Sequence, residues 1–234
     1  MNFEEWEPVY ERILADFGFD RAADERARDV CRSLVGGVFD VDTLRDGVEG
    51  NTVAVVGAAP ALADEVHRAA EADRVFAAST AADVCLDHGI DVDLMVTDLD
   101  KNPETAADLT HGGTPVAAHA HGDNVPLLRE WLPRFASEWT LPTTQAAPVD
   151  PVVNAGGFTD GDRAAFLADH LGAAALVFVG WDFDDPTVDP MKAAKLRWAA
   201  RLLTWLEARR GDRFAVLDGH RDPLEPRSPP DDGR

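Results

Sequence analysis

Apolar residues recur at helical spacing through the first part of the chain and in short continuous runs after it. Trp6, Val9, Tyr10, Ile13, Leu14 and Phe17 fall on one helical face, Asp20 is placed to cap a second helix, and Gly36-Gly37 closes the section. A polar stretch from Asp40 to Gly50 follows. Thr52-Val53-Ala54-Val55-Val56-Gly57 then has the unbroken apolar character of a strand buried on both faces. From there the signals alternate, with strands expected near 52–56, 75–78, 93–97, 115–118, 175–180 and 214–217, and helices near 61–71, 80–88, 103–110, 124–136, 161–171 and 190–210. Alternation of this kind predicts an α/β fold: a Rossmann-like, mostly parallel sheet with helices on both faces, preceded by a small helical N-terminal region. The expected boundaries are 1–48 for the helical region, 49–220 for the Rossmann-like domain and 221–234 for a disordered Pro- and Asp-rich tail. Pro142 to Asn154 is aperiodic and contains prolines, which marks it as a candidate active-site loop.

Composition narrows the partners. With 45% apolar residues among 234, the chain has ample material for a core. Its net charge of -21, from 43 acidic and 22 basic residues, is spread along the length and leaves no basic groove, so a nucleic-acid partner is not expected. Only Lys101, Lys192 and Lys195 are lysine; the other nineteen basic residues are arginine. This acidic, alanine-rich, arginine-skewed composition resembles that of proteins from salt-loving cells and predicts loss of structure at low ionic strength, where carboxylate repulsion is unscreened. Cys31 and Cys85 lack any pairing or metal-binding spacing and read as small core residues in a reducing compartment. The N-terminus lacks a signal-peptide pattern and no window approaches 18 apolar residues, so the expected protein is soluble and cytoplasmic, with no membrane partner. Sequence leaves open whether it acts alone or as a homodimer.

Three clusters carry the candidate chemistry. Thr97-Asp98-Leu99-Asp100 ends a strand, where alternation would aim both carboxylates at one point and offer Mg²⁺ two oxygens. His119-Ala120-His121-Gly122-Asp123-Asn124 ends another. It reads as rim histidines with Asn124 as a helix cap, as imidazole donors to phosphate with Asp123 at a metal, or as a His-x-His zinc site, for which no further His or Cys is suitably placed. Gly156-Gly157-Phe158-Thr159-Asp160-Gly161-Asp162-Arg163 opens a helix, where free N–H groups favour anions, glycines allow close approach of a ligand, Asp160 or Asp162 faces a metal or hydroxyl, and Arg163 clamps phosphate. Thr159 and Asp162 also fit a simple capping box. Gly57-Ala58-Ala59-Pro60 occupies the place of a nucleotide-binding turn without its full glycine pattern. Lys192 and Lys195 stand in the first turns of the last long helix, where their charge opposes the dipole, which suggests phosphate binding against a plain ion pair with Asp189.

In this order, the motifs Gly-Ile-x-x-Asp-x-x-Val-Thr-Asp-Leu-Asp, His-Ala-His-Gly-Asp-Asn, Gly-Gly-Phe-Thr-Asp-Gly-Asp-Arg-Ala and Gly-x-Asp-Phe, followed by Lys-x-x-Lys-Leu, resemble the archaeal 6-hydroxymethyl-7,8-dihydropterin pyrophosphokinases of the MptE-like type. The likeness runs from about residue 52 to 206, and the strand leading into Asp98 is similar to that of thiamine pyrophosphokinase. The resemblance implies Mg²⁺-dependent transfer of diphosphate from ATP to a dihydropterin alcohol with release of AMP. It implies metal-site roles for Asp98, Asp100 and Asp123, a catalytic role also for His121, and binding roles for Gly57, Thr97, His119, Asn124, Thr159, Gly161, Arg163, Lys192 and Lys195. Three positions depart from that pattern: the Gly57 turn lacks a second glycine and a serine, Ser79 stands where Asp is frequent, and Lys101 replaces a glycine. A nucleotide-sugar glycosyltransferase using the Asp-x-Asp metal site, a thiamine pyrophosphokinase-like enzyme and a non-catalytic nucleotide-binding module are the other readings.

Overall fold

The computed structural model describes residues 1–37 and 39–224. Among these, β1 (Thr52–Val56), β2 (Arg74–Ala78), β3 (Leu94–Thr97), β4 (Val116–Ala120), β5 (Thr140–Thr144) and β6 (Ala175–Val179) form one sheet in the order β5-β4-β3-β2-β1-β6. Every neighbouring pair is parallel. The connecting helices are α1 (Phe3–Phe17), α2 (Arg21–Leu34), α3 (Val41–Val48), α4 (Leu62–Glu65), α5 (Ala81–Asp87), α6 (Pro103–His111), α7 (Val125–Trp131), α8 (Asp160–His170) and α9 (Pro190–Arg210).

Side chains alternate across each strand, so each strand feeds two cores. Val53, Val55, Phe76, Leu94 and Val96 pack with α1, α3, α8 and α9, while Ala54, Val56, Val75, Ala77 and Met95 pack with α2 and α4 to α7. The two-faced α/β layering expected from the sequence is therefore present, and the N-terminal helices contribute directly to it. Asp20 caps α2 as expected, its side chain accepting from the Ala22 N–H at 3.0 Å. Gly18, left-handed at φ 67°, ends α1 and turns the chain into α2.

Three elements differ from the sequence-based expectation. The run at 214–217 is a 3₁₀ turn, Ala215–Leu217, with Phe214 and Leu217 buried; a short apolar run does not distinguish a strand from a turn packed on the core. The start of the expected loop at Pro142 lies in β5, where an edge strand tolerates a residue with no N–H to donate. The polar stretch at 40–50 contains α3, capped by Asp40 and anchored by Leu44 and Val48, one helical turn apart. The expected tail lies outside the described residues from 225 onward.

Strand order reverses between β1 and β6, which places a ligand crevice outside their carboxyl ends.

Candidate active site

Beyond β3 the chain does not continue in the extended form that alternation assumed. Leu99 is left-handed at φ 70° and fully buried, Thr97 Oγ1 accepts from the Leu99 N–H at 2.9 Å, and Asp98 Oδ1 accepts from the Asp100 N–H at 3.3 Å. A tight turn, with a buried leucine in a conformation that L-residues rarely adopt, brings the two carboxyls together. Burial alone would raise the Asp98 carboxyl, but hydrogen bonds from His121 and Asp100 and the nearby Arg163 charge hold it far below the usual range. Asp100 is raised, first by burial and then by Asp98, with Lys101 and Lys192 opposing. The pair thus ionises first at Asp98.

Asn124 fixes this turn. Its side-chain amide donates to the Asp98 carbonyl at 2.8 Å and the His119 carbonyl at 2.7 Å, and its carbonyl oxygen accepts from the His121 N–H at 3.1 Å. It makes no side-chain cap on α7, because these bonds tie the ends of β3 and β4 together instead. The His121 ring then lies with Nε2 3.5 Å from Asp98 Oδ2. His119 is buried behind the wall, with Nδ1 3.0 Å from Thr143 Oγ1 and Nε2 unpartnered; burial, then the Arg163 charge, keeps it well below the ordinary histidine range. Among the described residues no third ligand joins the two histidines in a metal group, so the zinc reading finds no support in the geometry.

The Thr159 and Asp162 pair forms the capping box at the start of α8. Asp162 is fully buried, accepting from the N–H groups of Phe158 and Thr159 and from Thr159 Oγ1, so this expected metal ligand faces inward. Asp160 and Arg163 face the cavity, joined by a 2.9 Å ion pair. Burial, then the charge of Asp98, pushes the Asp160 carboxyl up to about 7, against the pull of Arg163. The two glycines serve packing: a Cβ on Gly157 would stand 2.6 Å from Arg163 Cα, and one on Gly156 would stand 2.9 Å from the Phe166 ring.

These elements enclose one cavity of about 720 Å³. Its wall includes Asp98, Asp100, His121, Asp123, Thr159, Asp160, Gly161 and Arg163, and all three lysines. Among the described residues neither Lys192 nor Lys195 pairs with a carboxylate; Asp189 instead accepts from the Lys192 backbone N–H at 2.8 Å. Gly57, Thr97, His119, Asn124 and Asp162 lie outside the cavity wall. Gly57 is buried against the Gly180 carbonyl, which a Cβ would meet at 2.7 Å. One end of the cavity is the β1/β6 crevice, lined by Ala58, Ala59, Gly180 and Trp181; the other reaches Phe19 and Ala23 at the α1–α2 turn. Trp181 packs on Gly161 so closely that a Cβ there would fall 2.7 Å from its ring.

Sequence reasoning missed Asp24 and Gln145. Asp24 and Gln145 are buried and line the cavity, but they are 121 positions apart and neither belongs to a motif. Ser79, at φ 49°, and Arg163 each leave a buried side-chain polar atom without a partner at the cavity wall, as a ligand-binding surface does.

Comparison with known proteins adds the lineage. Residues 35–187 match the family model described as 6-hydroxymethylpterin diphosphokinase MptE-like. A 6-hydroxymethyl-7,8-dihydropterin pyrophosphokinase of Methanothermobacter thermautotrophicus is 38% identical over 231 residues, covering 91% of this chain and 97% of the relative. Proteins of the same name from Pyrococcus furiosus and Methanocaldococcus jannaschii are 35% and 30% identical; each alignment covers 88% of this chain, with 95% and 96% of the respective relative. The family model spans every strand of the sheet, and the chain belongs to the MptE-like family of 6-hydroxymethylpterin diphosphokinases.

Proposed function

We propose that this protein transfers the terminal diphosphate of ATP to the hydroxymethyl oxygen of 6-hydroxymethyl-7,8-dihydropterin, releasing AMP, in the synthesis of folate-like or methanopterin-like cofactors. One observation carries the reading: a single cavity runs from the β1/β6 crevice across the acidic turn after β3 to the α1–α2 turn, with every lysine of the chain on its wall. The names of the relatives supply the acceptor and set aside the glycosyltransferase alternative. The nucleoside occupies the β1/β6 end, and the triphosphate lies along Lys101, Lys192 and Lys195. The pterin occupies the far end, where Phe19 and Phe158, with ring centroids 6.4 Å apart, give apolar walls.

In the transfer a bond forms between the hydroxymethyl oxygen and the β-phosphorus, and the bridging bond to the α-phosphate breaks in line. AMP takes the electron pair. Such chemistry needs positioning and charge neutralisation more than covalent help. His121, beside Asp98, takes the hydroxyl proton, with Asp123 at the rim as the exposed carboxylate nearest to it in the chain. Arg163 and the lysines hold phosphate oxygens.

The donor set fits Mg²⁺. Nine aspartates line the cavity against three lysines and Arg163, so the wall carries more carboxylate than its cations neutralise. Mg²⁺ takes one or two carboxylates and completes its shell with water and phosphate, and the turn after β3 brings two carboxylates together. Asp98 and Asp100 would hold it. When bound it would neutralise developing phosphate charge.

The acidic composition supports work in a salt-rich cytoplasm on small-molecule substrates alone. No helix among the described residues is long and apolar enough to cross a membrane. The deciding experiment incubates the protein with ATP, Mg²⁺ and 6-hydroxymethyl-7,8-dihydropterin at high salt and identifies the nucleotide product. AMP is expected; ADP, or no pterin-dependent product, overturns the reading.

A further inference from the structure

Asp24, on α2, lies outside the residues matched by the family model, yet it stands at the junction of three parts of the cavity wall. Its Oδ1 accepts from the Gly122 N–H at 2.7 Å, inside the turn that carries His121 and Asp123. Its Oδ2 accepts from the Tyr10 hydroxyl at 2.7 Å and from Gln145 Nε2 at 2.8 Å. The other end of the Gln145 amide, Oε1, accepts from Arg163 Nη2 at 3.2 Å, and Arg163 Nη1 reaches Asp160 at 2.9 Å. Asp24 and Gln145 are each at most 4% exposed.

Polarity runs one way along this chain. A guanidinium only donates and a carboxylate only accepts, so the amide between them has a single permitted orientation. Gln145 cannot step aside, because its backbone carbonyl is held by Trp6 Nε1 at 2.9 Å and Asn154 Nδ2 at 3.0 Å. Burial and the neighbouring Asp24 raise the Tyr10 hydroxyl, which keeps it a donor. Asp24, Tyr10 and Gln145 have their side-chain partners without a ligand, which marks them as holding the wall in shape, while Arg163 keeps a buried Nε without a partner.

We propose that Asp24 and Gln145 are positioning residues for the diphosphate transfer: through Gly122 and Arg163 they set the places of His121 and of the guanidinium beside the acidic turn. The proposal rests on the function argued above. It also makes the N-terminal helices part of the reacting apparatus.

The polarity argument supplies its own test. In Asp24→Asn the new NH₂ meets the NH₂ of Gln145. If Gln145 turns its amide to escape, it points NH₂ at Arg163 and that bond is lost. In Gln145→Glu two carboxylates face each other. The double variant Asp24→Asn with Gln145→Glu restores donor against acceptor along the line from residue 24 through residue 145 to Arg163, with the Tyr10 hydroxyl turning to accept from the new NH₂ and the negative charge moved along by one residue. We expect each single variant to lose about 10- to 100-fold in kcat, with KM for ATP changed less than threefold, and the double variant to recover at least tenfold over the worse single. Melting temperatures of all four proteins at high salt separate misfolding from misplacement. Wild-type protein that makes no AMP from ATP and the dihydropterin overturns the functional reading. Active wild type overturns the positioning proposal if the double variant is no better than the singles while melting normally, or if the singles retain full kcat. If both singles unfold, a double variant that folds but stays inactive overturns it.

Discussion

Asp98 takes most of its character from its neighbours. Burial would protonate it, and His121, Asp100 and Arg163 together keep it ionised. Asp98→Asn removes that charge while leaving the backbone carbonyl that Asn124 binds. Turnover should fall by at least about 100-fold, in line with the loss of one preorganised electrostatic contact, with the melting temperature within a few degrees of wild type. Near-normal turnover would count against the site. His119 bears on stability. Its folded value is lowered, so below about pH 6.5, the ordinary histidine value, the unfolded chain binds a proton that the folded chain does not. Stability is therefore lost as pH falls below that point, with a limiting slope of about 1.4 kcal/mol per pH unit. Denaturant titrations of wild type and His119→Gln between pH 7 and 5 should give a stability difference that shrinks toward acid; a constant difference would contradict a buried neutral imidazole.

At the scale of elements, the loop before α8 sets how closely the helix start approaches the cavity. Gly157 is left-handed at φ 94° and backs directly on the Arg163 main chain, so the loop has no room for a side chain there. Gly157→Ala adds backbone strain of about 1–3 kcal/mol and pushes on the residue that carries the guanidinium. A melting temperature lower by about 2–12 °C is expected at the 2–4 °C per kcal/mol of a domain this size. An unchanged melting temperature would show that the loop can open freely. The long helix α9 lies where the sequence places it, near 190–210; the structure adds its Asp189 cap and its closing Gly211. β5 is not, because Pro142 interrupts its strand-favouring threonines, and only its place at the sheet edge makes the proline acceptable.

For the whole molecule, the net charge of -21 is the dominant long-range term. Salt bridges are abundant on the surface, including Arg21 shared by Glu7, Glu11 and Glu25, but with 43 acidic residues against 22 basic ones most carboxylates face water or one another. Screening shortens from about 10 Å at 0.1 M salt to about 3 Å at 1 M, so repulsion should relax steeply over that range. The melting temperature is expected to rise as KCl increases from 0.1 to 2 M, and faster with KCl than with sucrose at equal osmolality. Equal slopes would remove self-repulsion as the cause.

Periodicity along the chain was enough to determine the α/β class, five of the six strands and the three clusters, because strands buried on both faces and capped amphipathic helices write their geometry into neighbouring residues. The placement of the clusters at strand and helix ends also suggested one site made of Asp98, Asp100, Asp123, Asp160 or Asp162 and the lysines. Only the tertiary structure decided that Asp98 and Asp100 meet through a left-handed Leu99, that Asp162 turns inward, that the paired glycines serve packing, and that Asp24 and Gln145 join the wall. The Asp24–Gln145 contact joins residues 121 positions apart, and no local pattern records which distant donor will satisfy a buried acceptor; the bonds of Asp162 lie within its own turn, where the sequence left capping and metal binding both open.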